Sequence, residues 1–399
     1  MKKRILATIC ALTCACTMSS PVYAKGLIDE PQPLDTSVMQ TMSDKGNYNI
    51  SVCSNTQNMQ PTDITAITGT LNASNLTDTC TINVPERAVL ALYSSAAYPS
   101  KAVSVDLKSQ SGVSLETQSL NSSTAAISED VDDGIVVEPG TYTLTYTVDS
   151  SITDNVTYTT KIIASRAGTE ENVDLGSGYV GFHKAGEDVY KKVTVKKGGL
   201  LEVGVAQYSG WGKFLLTGDT NGVYESGENV TLCNSNKKPI TTQETTSATS
   251  GYSNFYAVKA GTYYVKISSN YDDYYIFATK FVAGGTTNNT SKAKAQKLSS
   301  KYKSTLMPIG GSSKTRWYKV TLKKKKRVNI AYEFYGNDGA VAVSIYNKKG
   351  KKITLDYTIY SGKRNVLSTA TKFSKGTYYV KVSKSSNKSM EGLLRLKLK

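Results

Sequence analysis

Few residues in this sequence could carry out acid–base or nucleophilic chemistry, and histidine is the scarcest of them. The 399-residue chain has a single histidine, His183, so zinc sites built on two or three imidazoles and the HExxH motif are excluded. No G-x-S-x-G nucleophile elbow is present either. His183 lies in the polar stretch GYVGFHKAGED, which predicts a surface or loop histidine, with a lone general base as the alternative. The sequence therefore predicts a protein that is not an enzyme.

Carboxylates form two clusters whose hard oxygen atoms could bind calcium. One consists of Glu170, Glu171, Asp174 and Asp188, and the other lies within residues 129–133. Acidic loops are usually just solvated, so we expect no cofactor, with calcium as the open alternative. A carboxylate-based hydrolase would need two acids to converge to about 5–10 Å, and this is the least favoured interpretation.

Cations are concentrated at predicted turns near the C-terminus. The candidates for binding a polyanion are Lys323, Lys324, Lys325, Lys326, Arg327, Lys348, Lys349, Lys351 and Lys352. If their two turns lie at one end of the same domain, their fields add. Lysine is the main cation, which favours diffuse, salt-sensitive attraction over bidentate recognition. We therefore expect an anionic cell-wall polymer or another polyanion as partner, and no specific nucleic acid. The alternative is that these lysines only solubilise strand edges.

The overall charge of +16 hides a gradient along the chain. Residues 25–165 hold 6 Lys and Arg against 16 Asp and Glu, a net charge of −10. Residues 166–285 are neutral with 12 of each, and residues 286–399 reach +23 with 27 against 4. The gradient indicates that the C-terminal part faces an anionic surface.

Aromatic side chains could provide a platform for sugar rings or peptides. The candidates are Trp211, Tyr252, Phe255, Tyr256, Tyr271, Tyr274, Tyr275 and Trp317. Tyrosines at alternating strand positions more often pack in the core or across strands. Tyr271 lies in a predicted turn and is the candidate we expect to be most exposed.

The elements that position these residues repeat along the chain. Three segments share one signature: GTYTLTYTV (140–148), GTYYVKISS (261–269) and GTYYVKVSK (376–384). Their glycines are 121 and 115 residues apart, which indicates homologous domains and not a short-period solenoid. Hydrophobic residues alternate with polar ones between turns, as in Tyr318, Val320 and Leu322, and this period of two predicts half-buried antiparallel strands. The fold class is therefore all-β, with three tandem antiparallel, jelly-roll-like β-sandwich modules.

The predicted domain organisation begins with a cleaved signal peptide, residues 1–24, in which Lys2 to Arg4 precede an apolar run and a V-Y-A site. A lipid-modified Cys14 or Cys16 is the alternative. A flexible leader (25–45) is followed by an acidic module (46–165), a neutral module (166–285) and a basic module (286–399). The C-terminal GLLRLKLK predicts neither a membrane anchor nor a sorting tail. No transmembrane anchor is expected, so the protein should be secreted or extracellular, and it could associate with the cell wall.

Three cysteines follow the predicted cleavage site: Cys53, Cys80 and Cys233. Export permits disulfides, and a bridge between Cys53 and Cys80 would close a loop of 28 residues. Such a loop would stabilise the fold by about 3.5 kcal/mol. Cys233 is then odd, and we interpret it as a half-buried small residue after a strand, with a reactive thiol or an intermolecular bridge as alternatives.

The repeated motifs resemble the bacterial pre-peptidase C-terminal domain family. EDVYKKV (187–193) and RWYKV (316–320) match its opening strand, and the three GTY segments match its closing strand. The resemblance is closer for the second and third modules than for the first. It implies a β-sandwich that accompanies secreted enzymes in targeting, secretion or substrate binding, without catalysing a reaction itself. Some relatives of that fold bind collagen or carbohydrate, sometimes with calcium.

Together these observations predict a secreted, non-catalytic binding or accessory protein, held on the anionic bacterial cell envelope by its basic C-terminal module. The alternative is a set of modules that bind carbohydrate or a collagen-like matrix protein, with or without calcium. These two hypotheses rank above the carboxylate-based hydrolase.

Overall fold

The computed structural model describes residues 41–43, 46–55, 59–97, 102–120, 134–208, 225–226, 228–245, 253–337, 339–354, 356–385 and 390–399. The predicted signal peptide and most of the predicted leader lie outside these residues. In the described part the regular secondary structure is β-strand apart from one 3-10 turn at Pro61–Asp63, and there is no α-helix. The strands form six separate sheets, so the prediction of an all-β chain of tandem β-sandwiches is confirmed.

Module one comprises the first ten strands. They are β1 (Thr41–Ser43), β2 (Asn47–Asn49), β3 (Thr65–Leu71), β4 (Thr77–Val84), β5 (Ala88–Ala97), β6 (Val103–Lys108), β7 (Ser114–Leu120), β8 (Ile135–Val137), β9 (Gly140–Val148) and β10 (Val156–Arg166). One sheet has the order β1-β3-β10-β5-β8 and the other β2-β4-β9-β6-β7. Strand β1 lies within residues 25–45, which the sequence predicts to be a flexible leader, and its backbone pairs in parallel with β3.

Module two comprises the next ten strands. They are β11 (Glu170–Val173), β12 (Gly178–His183), β13 (Asp188–Val195), β14 (Gly199–Tyr208), β15 (Glu225–Ser226), β16 (Asn229–Cys233), β17 (Glu244–Thr245), β18 (Asn254–Val258), β19 (Gly261–Ser268) and β20 (Asp273–Ala283). One sheet has the order β11-β13-β19-β16-β17, and the other the order β12-β20-β14-β15 with β18 also paired to β14.

Module three comprises the last nine strands. They are β21 (Gln296–Lys297), β22 (Lys303–Met307), β23 (Thr315–Leu322), β24 (Asn329–Tyr335), β25 (Ala340–Asn347), β26 (Tyr357–Tyr360), β27 (Lys363–Ser368), β28 (Gly376–Lys384) and β29 (Gly392–Leu398). One sheet has the order β21-β23-β28-β25-β26 and the other β22-β29-β24-β27.

One strand order recurs in all three modules. The GTY segments form β9, β19 and β28, and each is the central strand of a five-stranded sheet. Most pairs are antiparallel, but β2, β11 and β21 are short edge strands that pair in parallel with β4, β13 and β23. The period of two places one face of each strand in the core: Tyr318, Val320 and Leu322 are at most 1% exposed.

The modules also contact one another through apolar clusters. Between modules one and two, Val89, Ile163, Phe182 and Tyr274 lie in one buried cluster. Between modules two and three the cluster contains Leu200, Ala257, Leu306 and Leu393. Burying this apolar surface between sheets stabilises a defined arrangement of neighbouring modules.

The predicted disulfide is wrong, because no bond joins Cys53 and Cys80. Cys80 lies on β4 and faces the core between the two sheets of module one. Cys53 pairs with Ser165 of β10 and packs into the cluster between modules one and two, so the sheet of β10 lies between the two sulfur atoms. The Cys53 thiol donates a hydrogen bond to the Asn55 carbonyl at 3.1 Å, and burial raises its pKa. Cys233 ends β16 and is fully buried, not half-buried.

Candidate functional site: a basic end of module three

The two lysine-rich turns lie at the same end of module three. The first follows β23, whose last residue Leu322 pairs with Gly376 at the start of β28. The second follows β25, whose last residue Asn347 pairs with Tyr378 of β28. Strands β23 and β25 flank β28 on either side, so the two turns leave the sheet about 10 Å apart. The nine cations that the sequence singled out are therefore brought together.

Backbone contacts hold these turns in place and add further lysines to the same end. Lys326 exchanges two backbone hydrogen bonds with Phe373, at 3.0 and 2.9 Å, which fixes the loop carrying Lys372 and Lys375 beside the first turn. The Lys399 amide donates to the Asn329 carbonyl at 2.9 Å, so the C-terminal lysine lies there too. We call the nine predicted cations, together with Lys372, Lys375 and Lys399, the basic end.

The basic end has little internal neutralisation. Eight of the nine predicted cations are exposed, and Lys326 is half-buried. Among the described residues, Lys352 alone of the nine forms a salt bridge, to Asp356 at 2.8 Å. The hydrogen bond from Lys352 lowers the pKa of Asp356. Since the other cations have no such partner in the described part of the chain, their positive potential projects into solvent.

A third cationic pair, Lys363 and Arg364, lies at the opposite end. Strand β27 pairs with β24 so that Lys363 is opposite Phe334, near the far end of that strand. Arg364 lies 3.4 Å from Glu333, which also accepts a hydrogen bond from Arg395 at 2.7 Å. The sequence pattern cannot separate this pair from the basic end, because the separation depends on which strands pair.

His183 is a buried residue, so the prediction of a surface or loop histidine is wrong. It ends β12 and is 1% exposed, with its Nε2 atom 2.8 Å from Oε1 of Glu228. Its ring stacks on Tyr275 at a centroid distance of 5.5 Å. Glu228 lies 45 residues further along the chain, directly before β16, so no local motif signals this pair.

Three of the four carboxylates in the first cluster considered for calcium form salt bridges with lysines. Glu170 lies 2.6 Å from Lys237, and Asp188 lies 2.7 Å from Lys266. Glu171 pairs with the buried Lys191. In the described part of the chain no three His, Cys, Asp or Glu residues converge as metal ligands. The second cluster, within residues 129–133, lies outside the described residues.

The aromatic candidates divide between core and surface. Tyr256, Tyr274 and Tyr275 are at most 1% exposed and belong to apolar clusters. Tyr271 is 67% exposed, as its turn predicted. Trp317 is half-buried on the outer face of β23, while Trp211 and Tyr252 lie outside the described residues.

Comparison with known families bears on the same module. Residues 324–394 match the family described as "Secretion system C-terminal sorting domain". The match runs from the first lysine-rich turn into β29, so the expectation that the C-terminus carries no sorting tail is wrong. The protein is therefore a secreted one. In the described residues no helix is long and apolar enough to cross a membrane.

Solved structures give only distant likenesses. The chain is similar to the CUB1-EGF-CUB2 domain of human MASP-1/3, at 9% identity and a TM-score of 0.18, over 56% of this chain and 99% of that chain. It is also similar to the full extracellular region of zebrafish Gpr126/Adgrg6, at 8% identity and 0.19, over 57% and 36%. For Paenibacillus xanthan lyase the values are 11%, 0.19, 64% and 30%. Among curated proteins none matches. At these TM-scores the likenesses carry no argument about function.

Proposed function

We propose that this secreted protein is a non-catalytic binding or accessory protein that is retained on the anionic cell envelope through the basic end of module three. The observation that carries the proposal is the joint position of the two lysine-rich turns at one end of a single β-sandwich. A polymer with repeating negative charges can contact both turns at once, because they are about 10 Å apart.

The composition of the basic end suits a flexible polymer better than a single shaped ligand. Of the nine predicted cations only Arg327 is an arginine. Lysine ammonium groups act as mobile point charges, whereas the planar arginine fork selects bidentate ligands. The attraction should therefore be diffuse and strongly screened by salt.

Two further observations support an accessory role. The match of residues 324–394 to a secretion system C-terminal sorting domain supports export, and a basic end would retain the exported protein at an anionic surface. The resemblance of modules two and three to the pre-peptidase C-terminal domain favours a module that binds or targets and does not catalyse.

A binding experiment with the full-length mature protein tests this function. We expect it to bind purified wall teichoic acid and polyphosphate, with the dissociation constant rising steeply between 50 and 500 mM NaCl as the Debye length falls below about 10 Å. The variant K324Q/K325Q/K349Q should bind at least about tenfold more weakly at low salt, since each surface ion pair contributes up to about 1 kcal/mol.

The matched control removes the same number of charges from the other end of the module. Lys314 precedes β23, Lys363 begins β27 and Lys384 ends β28, and all three are exposed. K314Q/K363Q/K384Q should bind within about twofold of the unmodified protein. Equal weakening by both triple variants, or an affinity that salt does not change, contradicts the proposal.

A further inference from the structure

The outer face of one sheet of module three carries aromatic rings and lysines in alternation. Trp317 and Lys319 lie on the outer side of β23, Tyr379 and Lys381 on that of β28, and Tyr346 on that of β25. Cross-strand register joins Lys319 to Tyr379 and Tyr379 to Tyr346 in one row, and Trp317 to Lys381 in the next. We call these five residues the aromatic face.

The rings and cations of this face are close together and partly exposed. The ring centroids of Trp317 and Tyr346 are 5.6 Å apart. The Lys381 ammonium lies 5.9 Å from the Trp317 ring. Lys292 lies 4.7 Å from the Tyr379 ring and donates a hydrogen bond of 2.8 Å to the Lys348 carbonyl. Since Lys348 belongs to the basic end, the aromatic face and the basic end form one continuous surface.

Module two has the same face at the same register. Val195 pairs with Gly261 as Leu322 pairs with Gly376, and counting back along each strand aligns the two modules. In module two the corresponding residues are Tyr190 for Trp317, Lys192 for Lys319, Tyr264 for Tyr379 and Lys266 for Lys381. Three of these four pairs keep the residue type, and in the fourth tyrosine replaces tryptophan.

Two carboxylates form salt bridges at the corresponding face of module two. Asp188 lies 2.7 Å from the Lys266 ammonium and accepts a hydrogen bond of 2.7 Å from Ser268. Glu170 lies 2.6 Å from Lys237 and accepts a hydrogen bond of 2.9 Å from the hydroxyl of Tyr264. The face therefore contains its own anions, which occupy the donors that an external acid would use.

Module three has no acid at either of these positions. The residue that corresponds to Asp188 is Thr315, at the start of β23, and the one that corresponds to Glu170 is Ala295, directly before β21. Asp356 does lie beside the face, where it accepts a hydrogen bond from Ser344, but it is paired with Lys352. In the described part of the chain Lys319 and Lys381 form no salt bridge.

We propose that the aromatic face of module three binds an acidic polysaccharide, with sugar rings stacked on Trp317 and Tyr379 and their carboxylate or phosphate groups paired with Lys319 and Lys381. This inference rests on the proposed function, because the basic end attracts the same polymer, and it adds the ligand's chemical class. A sugar ring presents C–H groups that fit an aromatic plane, whereas a polyphosphate has charge without rings. Alternating rings and cations therefore select a polymer that has both.

The test compares polygalacturonate, which has rings and carboxylates, with polyphosphate, which has only charge, in the full-length mature protein. W317A should bind polygalacturonate about tenfold more weakly, a loss of about 1.4 kcal/mol, because it removes one of the two rings on which the sugars stack. The same variant should bind polyphosphate within about twofold of the unmodified protein. K324Q/K325Q/K349Q should weaken binding of both polymers.

A second variant transfers the carboxylates of module two to module three without removing a ring. A295E/T315D should weaken binding of polygalacturonate at least about tenfold, because the new acids pair with the lysines of the face. S312E/N365D adds the same charge on the loop before β23 and on the opposite sheet, where both residues are exposed, and should change binding less than threefold.

The outcomes separate the two proposals. If W317A and A295E/T315D bind polygalacturonate as tightly as the unmodified protein while K324Q/K325Q/K349Q does not, the aromatic face is not a binding site and the basic end alone carries the function. If the protein binds neither polymer, the proposed function itself fails. Equal weakening of polygalacturonate binding by A295E/T315D and S312E/N365D would show that net charge alone causes the effect. That result would contradict the proposal that the aromatic face is a binding site.

Discussion

Modules two and three have the same strand order, but they differ in whether their lysines have acidic partners. In module two, three lysines form salt bridges with carboxylates of the same module: Lys237 with Glu170, Lys266 with Asp188 and Lys191 with Glu171. In module three lysines dominate the surface and most have no acidic partner among the described residues. The difference shows that one β-sandwich skeleton can be a self-contained structural unit or an open cationic surface, depending on a few carboxylates.

The same contrast extends into the core. Lys191 and Tyr318 occupy equivalent positions on β13 and β23, and Cys80 of β4 is the third equivalent. The Lys191 ammonium lies 3.5 Å from the Tyr179 ring and pairs with Glu171, and burial lowers its pKa to about 8. Tyr318 instead donates one hydrogen bond of 2.7 Å to Thr305. At this position the core of module two therefore contains a buried charge, on Lys191, whereas the core of module three contains a neutral hydroxyl, on Tyr318.

The largest expected effect comes from removing Glu171. E171Q leaves the Lys191 ammonium buried beside two aromatic rings with no counter-charge, which should lower the free energy of unfolding of module two by about 3–5 kcal/mol. Y318F, which removes one neutral hydrogen bond, should cost module three about 1 kcal/mol. Hydrogen exchange of the β13 and β23 amides in the full-length protein measures both.

A double variant controls for loss of packing at this site. K191M/E171Q removes both charges and keeps the side-chain volume, and it should recover most of the stability lost in E171Q. If E171Q exchanges no faster than Y318F, the buried ion pair does not distinguish the two cores.

The sequence could predict the strands but not the partners of their side chains. Alternation in segments such as 316–322 predicts strands directly, because one face must be apolar. That Glu171 reaches Lys191 depends on a parallel pair between β11 and β13, and nothing local to either segment encodes that pairing. For the same reason the sequence pattern gave a wrong prediction for His183, because its partner Glu228 lies 45 residues further along the chain, before β16.

The candidate site was partly predictable for a similar reason. The nine cations stand out as runs, and a run is visible without knowing the fold. That the runs meet at one end, and that Lys363 and Arg364 lie at the other, follows only from the registers of β27 and β28. The predicted disulfide failed because loop length carries no information about which side of a sheet each cysteine faces.

An effect of intermediate size on polymer binding is expected from removing the two carboxylates at the corresponding face of module two. E170A/D188T gives module two the residue types that module three has at these positions, and it frees Lys237 and Lys266. Because the rings Tyr190 and Tyr264 remain, this variant should bind polygalacturonate about threefold to tenfold more tightly than the unmodified protein at low salt. Isothermal titration should report a second set of sites.

The control keeps the carboxylates and adds the same charge elsewhere. D174N/E187Q raises the net charge of module two equally at two other acidic residues and should leave the affinity within about twofold. A gain of the same size in both variants would mean that net charge, and not the geometry of the face, separates the two modules.

The smallest effect is the response of module two to acid. Hydrogen bonds, first from Lys237, lower the pKa of Glu170. Burial raises the pKa of Asp188, but hydrogen bonds from Lys266 and Ser268 outweigh this effect and lower it overall. Both pKa values are therefore lower in the folded than in the unfolded state, where they are about 4.3 and 3.9. The stability that these pairs contribute is present above about pH 4 and is lost as the pH falls through the folded values.

Acidification should therefore reduce the difference between the unmodified protein and E170A/D188T. At pH 6 the β13 amides of the unmodified protein should exchange more slowly than those of the variant, and this difference should shrink as the pH is lowered below about 4, after correction for intrinsic rates. The Glu170–Lys237 pair is exposed and the Asp188–Lys266 pair is half-buried. Each contributes little, so the comparison uses the difference between the proteins and not the absolute stability of either. A difference that does not shrink as the pH is lowered below about 4 would show that Glu170 and Asp188 stabilise module two through packing and not through their charges.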